Sequence, residues 1–100
     1  MSIEAIARLD PVIHSRVRLA VMSILVSVKD ASFSYLKNAI GVSDGNLSVS
    51  LSKLEEAGYI RVKKSFHGKK PLTTCQVTAR GREAFGGYVK ALDSIIHPDR

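Results

Sequence analysis

Between Phe33 and Val77 the hydrophobic period of the chain switches from helical to alternating, and that switch limits the fold more than any other feature. Phe33, Leu36, Ala39 and Ile40 share one helical face, Gly41 supplies a left-handed stop, and Ser43 can cap a second helical segment. There Leu47, Leu51 and Leu54 fall within about 60° of one another on a helical wheel, and Gly58 closes the run. From Tyr59 the pattern alternates, with Tyr59, Ile60 and Val62 apolar and Arg61, Lys63 and Lys64 mostly outward. His67-Gly68-Lys69-Lys70-Pro71 reads as a five-residue tip before Leu72 to Val77 returns. Two helices joined by a three-residue, glycine-led turn are a helix-turn-helix, and a hairpin directly behind them is a wing.

The flanks complete the order. Asp10-Pro11 forms a helix start, and Ser15 caps a restart in which Val17, Ala20, Val21, Ile24, Leu25 and Val28 recur at helical spacing. Thr78 caps a last helix carrying Phe85, Tyr88, Val89, Leu92, Ile95 and Ile96, and Ile3, Ile6 and Leu9 give the N-terminus a short amphipathic segment. The expected fold is mainly α with a small β-hairpin (α+β): a winged helix-turn-helix with added N- and C-terminal helices. A chain of 100 residues at 45% hydrophobic content has core enough for one domain. Its expected parts are a helical segment over 3–14, a core helix over 15–29, the helix-turn-helix over 32–58, the wing over 59–77 and a dimerisation helix over 78–97.

Charge is concentrated in the wing region. The net charge is +6, yet residues 61–82 hold seven Lys and Arg and no acid, leaving eight basic residues against nine acids elsewhere. Local basicity of this kind marks a surface for a polyanion rather than a general aid to solubility. Membrane binding normally adds a large apolar face or a lipid anchor, and no run approaches the roughly 18 apolar residues of a membrane span. The N-terminus MSIEAIARLD lacks a secretion-signal pattern, so a cytoplasmic protein is expected.

Cofactor and reaction chemistry find little support. Cys75 is the single cysteine, which excludes an internal disulfide or a multi-thiolate zinc site, and it reads as a half-buried strand residue. His14, His67 and His97 share no metal-ligand spacing. Gly68-Lys69-Lys70 lacks the upstream glycine and the following Ser or Thr of a phosphate-binding loop, and no catalytic triad or carboxylate pair is spaced for work. No enzyme, metal or cofactor is expected.

The run SFSYLKNAIGVSDGNLSVSLSKLEEAGYIRVKK resembles the core of prokaryotic winged-helix regulators. Leu51, Leu54, Glu55, Gly58, Tyr59 and Ile60 match a stretch shared by MarR, ArsR and PadR relatives, and VTARGREAF is similar to the passage from wing to dimerisation helix in MarR-type proteins. The opening LDPVIHSRVRLAVMSIL is closest to small regulators grouped near MarR. The resemblance implies a dimeric DNA-binding repressor or activator and specifies no effector. ArsR-type metal sensors carry cysteine pairs near the recognition helix, which this chain lacks.

A duplex major groove about 12 Å wide admits a helix, and Ser43 to Lys53 is the segment whose outer face is compact and polar enough to enter it. Its candidate contacts are Ser43, Asp44, Gly45, Asn46, Ser48, Val49, Ser50 and Lys53. Asn46 suits adenine, Val49 a thymine methyl, and Asp44 either the helix dipole or a cytosine amino group. Arg61, Lys63, Lys64, His67, Gly68, Lys69 and Lys70 are the candidate wing contacts, directed to phosphates.

The last helix has six large apolar residues over twelve positions, more than a small winged core can cover. With Ile3, Ile6 and Leu9, the residues Phe85, Tyr88, Val89, Leu92, Ile95 and Ile96 are expected at a homodimer interface. Gly86-Gly87 implies a bend there or a closely packed second backbone. The expected function is a homodimeric, sequence-specific double-stranded-DNA-binding transcriptional regulator. The alternative is a winged-helix protein-protein interaction module without sequence-specific DNA binding.

Overall fold

Four polar side chains fix where the longer helices begin. In the computed structural model, which describes residues 3–99, Ser15 Oγ accepts from the Arg18 amide at 3.4 Å and Ser32 Oγ from the Tyr35 amide at 3.0 Å. Ser43 Oγ accepts from the Asn46 amide at 3.1 Å, and Thr78 Oγ1 from the Gly81 amide at 2.9 Å. Each satisfies an amide that the helix itself leaves unpaired, stabilising the helix by about 1 kcal/mol. The resulting order is α1 (Ile3–Ala7), α2 (Arg16–Leu25), β1 (Ala31–Ser32), α3 (Phe33–Ile40), α4 (Asp44–Glu56), β2 (Ile60–His67), β3 (Lys70–Val77) and α5 (Ala79–Ile96).

Helix α3 stops where expected, at Gly41 with φ +76°, whose amide donates to the Lys37 carbonyl at 2.8 Å. Leu36 of α3 and Leu47, Leu51 and Leu54 of α4 then meet Val17, Val21, Met22 and Leu25 of α2. Ile60 and Cys75 of the sheet, with Ile13 and Tyr88, close this core. Removing one of its fully buried leucine side chains would cost about 2–5 kcal/mol. Ala39, expected on the same face as Phe33, is exposed instead.

Several element boundaries differ from the sequence reading. The core helix ends at Leu25 rather than near residue 29, and Val28 is 38% exposed. The chain has to leave the helix there so that Ala31 and Ser32 can pair with Cys75 and Thr74, which makes a three-stranded sheet in the order β1-β3-β2. Arg82 Nη1 donates to the freed Val26 carbonyl at 3.1 Å. Over 3–14 the helix covers only Ile3–Ala7, followed by a separate turn that Asp10 Oδ1 caps through the Val12 amide at 2.8 Å. The hairpin tip is two residues, Gly68-Lys69, because the ladder runs out to His67 opposite Lys70. Gly68 has φ +67° and Lys69 does not share the positive φ, the sign pattern of a type II′ hairpin turn.

Cys75 is fully buried rather than half-buried. Burial, with a smaller contribution from the Glu55 charge, pushes its thiol up to about 11.

Candidate nucleic-acid interface

The register of the hairpin decides which face each wing residue occupies, since directly opposed residues share a face. Ile60 opposes Val77 and Val62 opposes Cys75, so the face carrying them packs on the core, and Lys64 opposite Thr73 extends that same face. Arg61, Lys63 and His67 stand on the other face, opposite Gln76, Thr74 and Lys70. Lys64 therefore points to the α4 side rather than alongside Lys63, the exception among three basic residues of β2 expected mostly outward. It lines a groove of about 290 Å³ with Ser48, Ser52 and Glu55 of α4 and Phe33, Leu51, Val62 and Thr73.

Helix α4 presents Asp44, Gly45, Asn46, Ser48, Val49, Ser52 and Lys53 to solvent, and Ser43 at its cap is exposed as well. Val49 is 57% exposed, although valine is an apolar residue and a weak helix former. A Cβ at Gly45 would meet nothing within 4 Å, so no contact inside the chain requires a glycine there. Ser50 is the exception in the expected set. At 3% exposure it faces the core with Leu47 and Leu51, and it is no surface contact. Asp44, expected to serve the helix dipole or a cytosine amino group, is ion-paired to Lys37 at 2.9 Å, one helix end neutralising the next.

Arg61, Lys63, Lys64, His67, Gly68, Lys69 and Lys70 are all exposed, and Phe66 near the tip is 75% exposed. The remaining members of the acid-free basic run serve the fold. Arg82 holds the Val26 carbonyl, and the Arg80 side chain lies beside Gly58, where a Cβ would come within 3.5 Å of its Cδ. Arg80 also opposes the rise in the Tyr59 pKa, which the hydrogen bond donated to Asp10 Oδ2 drives first, then burial and the Asp10 charge. Arg18 Nε donates to the Val12 carbonyl.

At the other end of the molecule α1 packs against α5. Ile3 is 84%, Ile6 45%, Val89 47% and Ile96 61% exposed, whereas Leu9, Phe85, Leu92 and Ile95 are half-buried. Tyr88 does not belong to that exposed set: it is 4% exposed, and its hydroxyl and His14 Nδ1 are hydrogen-bonded at 2.9 Å. Helix α5 runs through Gly86-Gly87, and a Cβ at either would meet nothing within 4 Å in this chain.

Among the described residues no three His, Cys, Asp or Glu gather as a metal site, and no helix is long and apolar enough to cross a membrane. A trihelical core, a recognition-type helix whose exposed face is small and mostly polar, and a basic hairpin beside it define a winged-helix nucleic-acid-binding protein. The chain belongs to the winged helix DNA-binding domain family, whose model matches residues 17–96, which makes it a DNA-binding domain and not an enzyme. It is 36% identical over 78 residues to an uncharacterized protein of Methanocaldococcus jannaschii, covering 78% of this chain and 85% of that one. In fold it is similar to a transcriptional regulator homologue from Pyrococcus horikoshii OT3, with a TM-score of 0.88 at 23% identity over 96% and 97% of the two chains. It is also similar to a MarR family transcriptional regulator from Streptomyces coelicolor solved in complex with DNA, with a TM-score of 0.62 at 17% identity, over 98% and 70%.

Three features escape the sequence reading. Strand β1 is too short to show a period, the burial of Ser50 follows from its place 60° from Leu47 on the wheel, and the Lys37 to Asp44 pair spans two helices.

Proposed function

We propose that this protein regulates transcription as a homodimer that binds duplex DNA sequence-specifically. Helix α4 enters the major groove, with Ser43, Gly45, Asn46, Ser48, Val49 and Lys53 at the DNA and Asp44 serving the helix end. Arg61, Lys63, Lys64, His67, Lys69 and Lys70 hold the flanking phosphates, with Gly68 letting the turn come close. The observation that carries this reading is the adjacency of α4 and the wing across one shallow groove, with Lys64 of one element facing Ser48 and Ser52 of the other. The regulators of similar fold, one of them solved on DNA, support it.

The dimer rests on α1 and α5. Ile3, Ile6, Val89 and Ile96 are too exposed for a chain of this size to leave to water, and the open glycine pair allows a second backbone close approach. Two-fold symmetry then sets the two α4 helices about 34 Å apart, one turn of DNA. Selection from a random duplex pool tests both parts: enrichment of two inverted half-sites is expected. Enrichment of nothing over the starting pool overturns sequence-specific binding, and a single half-site bound by a protein of monomer mass overturns the dimer.

A further inference from the structure

We infer that the base pairs read by α4 are two neighbouring A·T pairs in each half-site, recognised by Asn46 and Val49. The inference rests on the major-groove reading above and is drawn from what the exposed face of α4 lacks as much as from what it holds. Guanine is most often read by arginine or lysine, and α4 contains no arginine. Its one lysine, Lys53, lies in the last turn, about 10 Å along the axis from Asn46, whereas the N-terminal part of a recognition helix reaches the base edges. Cytosine is read by a carboxylate, and Asp44, the acid of the first turn, is held by Lys37 at 2.9 Å. The arginine, lysine and carboxylate chemistry that selects a G·C pair is thus distant or ion-paired, and the exposed Ser43, Ser48 and Ser52 can bind either kind of pair without selecting one.

What remains suits A·T. Asn46 is exposed, its backbone amide is used by the Ser43 cap, and among the described residues no hydrogen bond takes its side-chain amide. The side-chain carbonyl can accept from the adenine N6 amino group while the side-chain NH₂ donates to adenine N7, the bidentate adenine pairing. Val49, three residues on and 57% exposed, is the apolar group a thymine methyl requires. Residues three apart on a helix are about 5–6 Å apart at Cβ, close enough for adjacent steps of a duplex. Ser50, turned into the core, cannot widen the reading, and the bare Cα of Gly45 leaves the space beside Asn46 open.

The test uses the duplex enriched from the random pool and measures affinity by fluorescence anisotropy. Changing the Asn46 pair from A·T to G·C in each half-site should weaken wild-type binding about ten-fold or more, and Asn46→Ala should bind both duplexes alike. Replacing the thymine at the neighbouring step by deoxyuridine, which removes only the methyl group, should weaken the wild type several-fold and leave Val49→Ala indifferent. Half-sites that are G·C at these steps, or an Asn46→Ala variant that keeps the wild-type preference, overturn the inference while leaving duplex binding in place. A wild-type protein that enriches no duplex overturns this inference and the reading beneath it together. The melting temperatures of both variants, expected to be no lower than that of the wild type because alanine is the better helix former, separate base reading from folding.

Discussion

The Cα of Gly81 is pressed against the backbone of Tyr59, so that a Cβ at residue 81 would stand 2.1 Å from the Tyr59 carbonyl oxygen and 3.0 Å from Val77 Cγ2. That same carbonyl accepts from the Thr78 amide at 3.0 Å, and Thr78 Oγ1 donates to the Gly58 carbonyl at 2.6 Å. The exit of α4 into the wing and the exit of the wing into α5 are therefore one knot. Gly81→Ala should lower stability by about 3 kcal/mol, at or beyond the top of the usual overpacking range, seen as a reduced denaturation midpoint. Gly86→Ala, where the Cβ meets open space, should raise the stability of the monomeric chain by up to about 1 kcal/mol. Equal effects of the two substitutions would show that no such knot exists.

Thr78 is held from two sides, accepting from Gly81 and donating to Gly58. Thr78→Ala should cost about 1–2 kcal/mol in urea denaturation, and Thr78→Ser, which keeps the hydroxyl, should recover most of it. A serine variant as weak as the alanine one would show that the methyl group rather than the hydroxyl matters.

Gly45 separates folding from binding. With no neighbour within 4 Å of a Cβ, Gly45→Ala should leave stability unchanged or raise it by up to about 1 kcal/mol, while the added methyl holds α4 off the DNA and lowers affinity for duplex. Calorimetry and anisotropy on one preparation check this. Unchanged affinity would place Gly45 away from the DNA.

Cys75 predicts a pH dependence. Burial pushes its thiol up to about 11 from an ordinary value of 9.0, so the folded state favours the neutral form. An unfolded chain releases this proton first, so the contribution to stability is whole below pH 9.0 and falls as pH rises towards 11. Urea midpoints of wild type and Cys75→Ala, compared at about pH 8 and about pH 10.5, cancel the other titrating groups. The wild type should lose ground relative to the variant at the higher pH, and a constant difference would contradict the shift.

Much of the fold is legible in the sequence because local chemistry and tertiary structure agree. Ser15, Ser32, Ser43 and Thr78 each cap the helix they precede, and Gly41 ends α3 in the left-handed conformation that a side chain would strain. The sequence misleads where a long-range partner overrides the local pattern. Val28 continues the apolar period of α2, yet the chain turns away at Leu25 to pair Ala31 with Cys75. Pro71 reads as part of the tip, but the ladder carries it into β3 opposite Phe66. For the binding surface, residue type marks α4 and the wing and the helical wheel places Ser50 on the apolar face, while only packing reveals that Tyr88 points inward and that Lys37 pairs with Asp44.

The central claim, that the wing and α4 together hold duplex DNA, is tested most directly by a salt series on random duplex with wild type and a Lys69→Ala, Lys70→Ala variant. Each phosphate neutralised by a lysine contributes about 0.9 to the slope of log affinity against log salt. Taking these two lysines from both protomers of a dimer should flatten the slope by about 3.6 and weaken binding at low salt. An unchanged slope and affinity in the variant, with the fold intact, would contradict the claim.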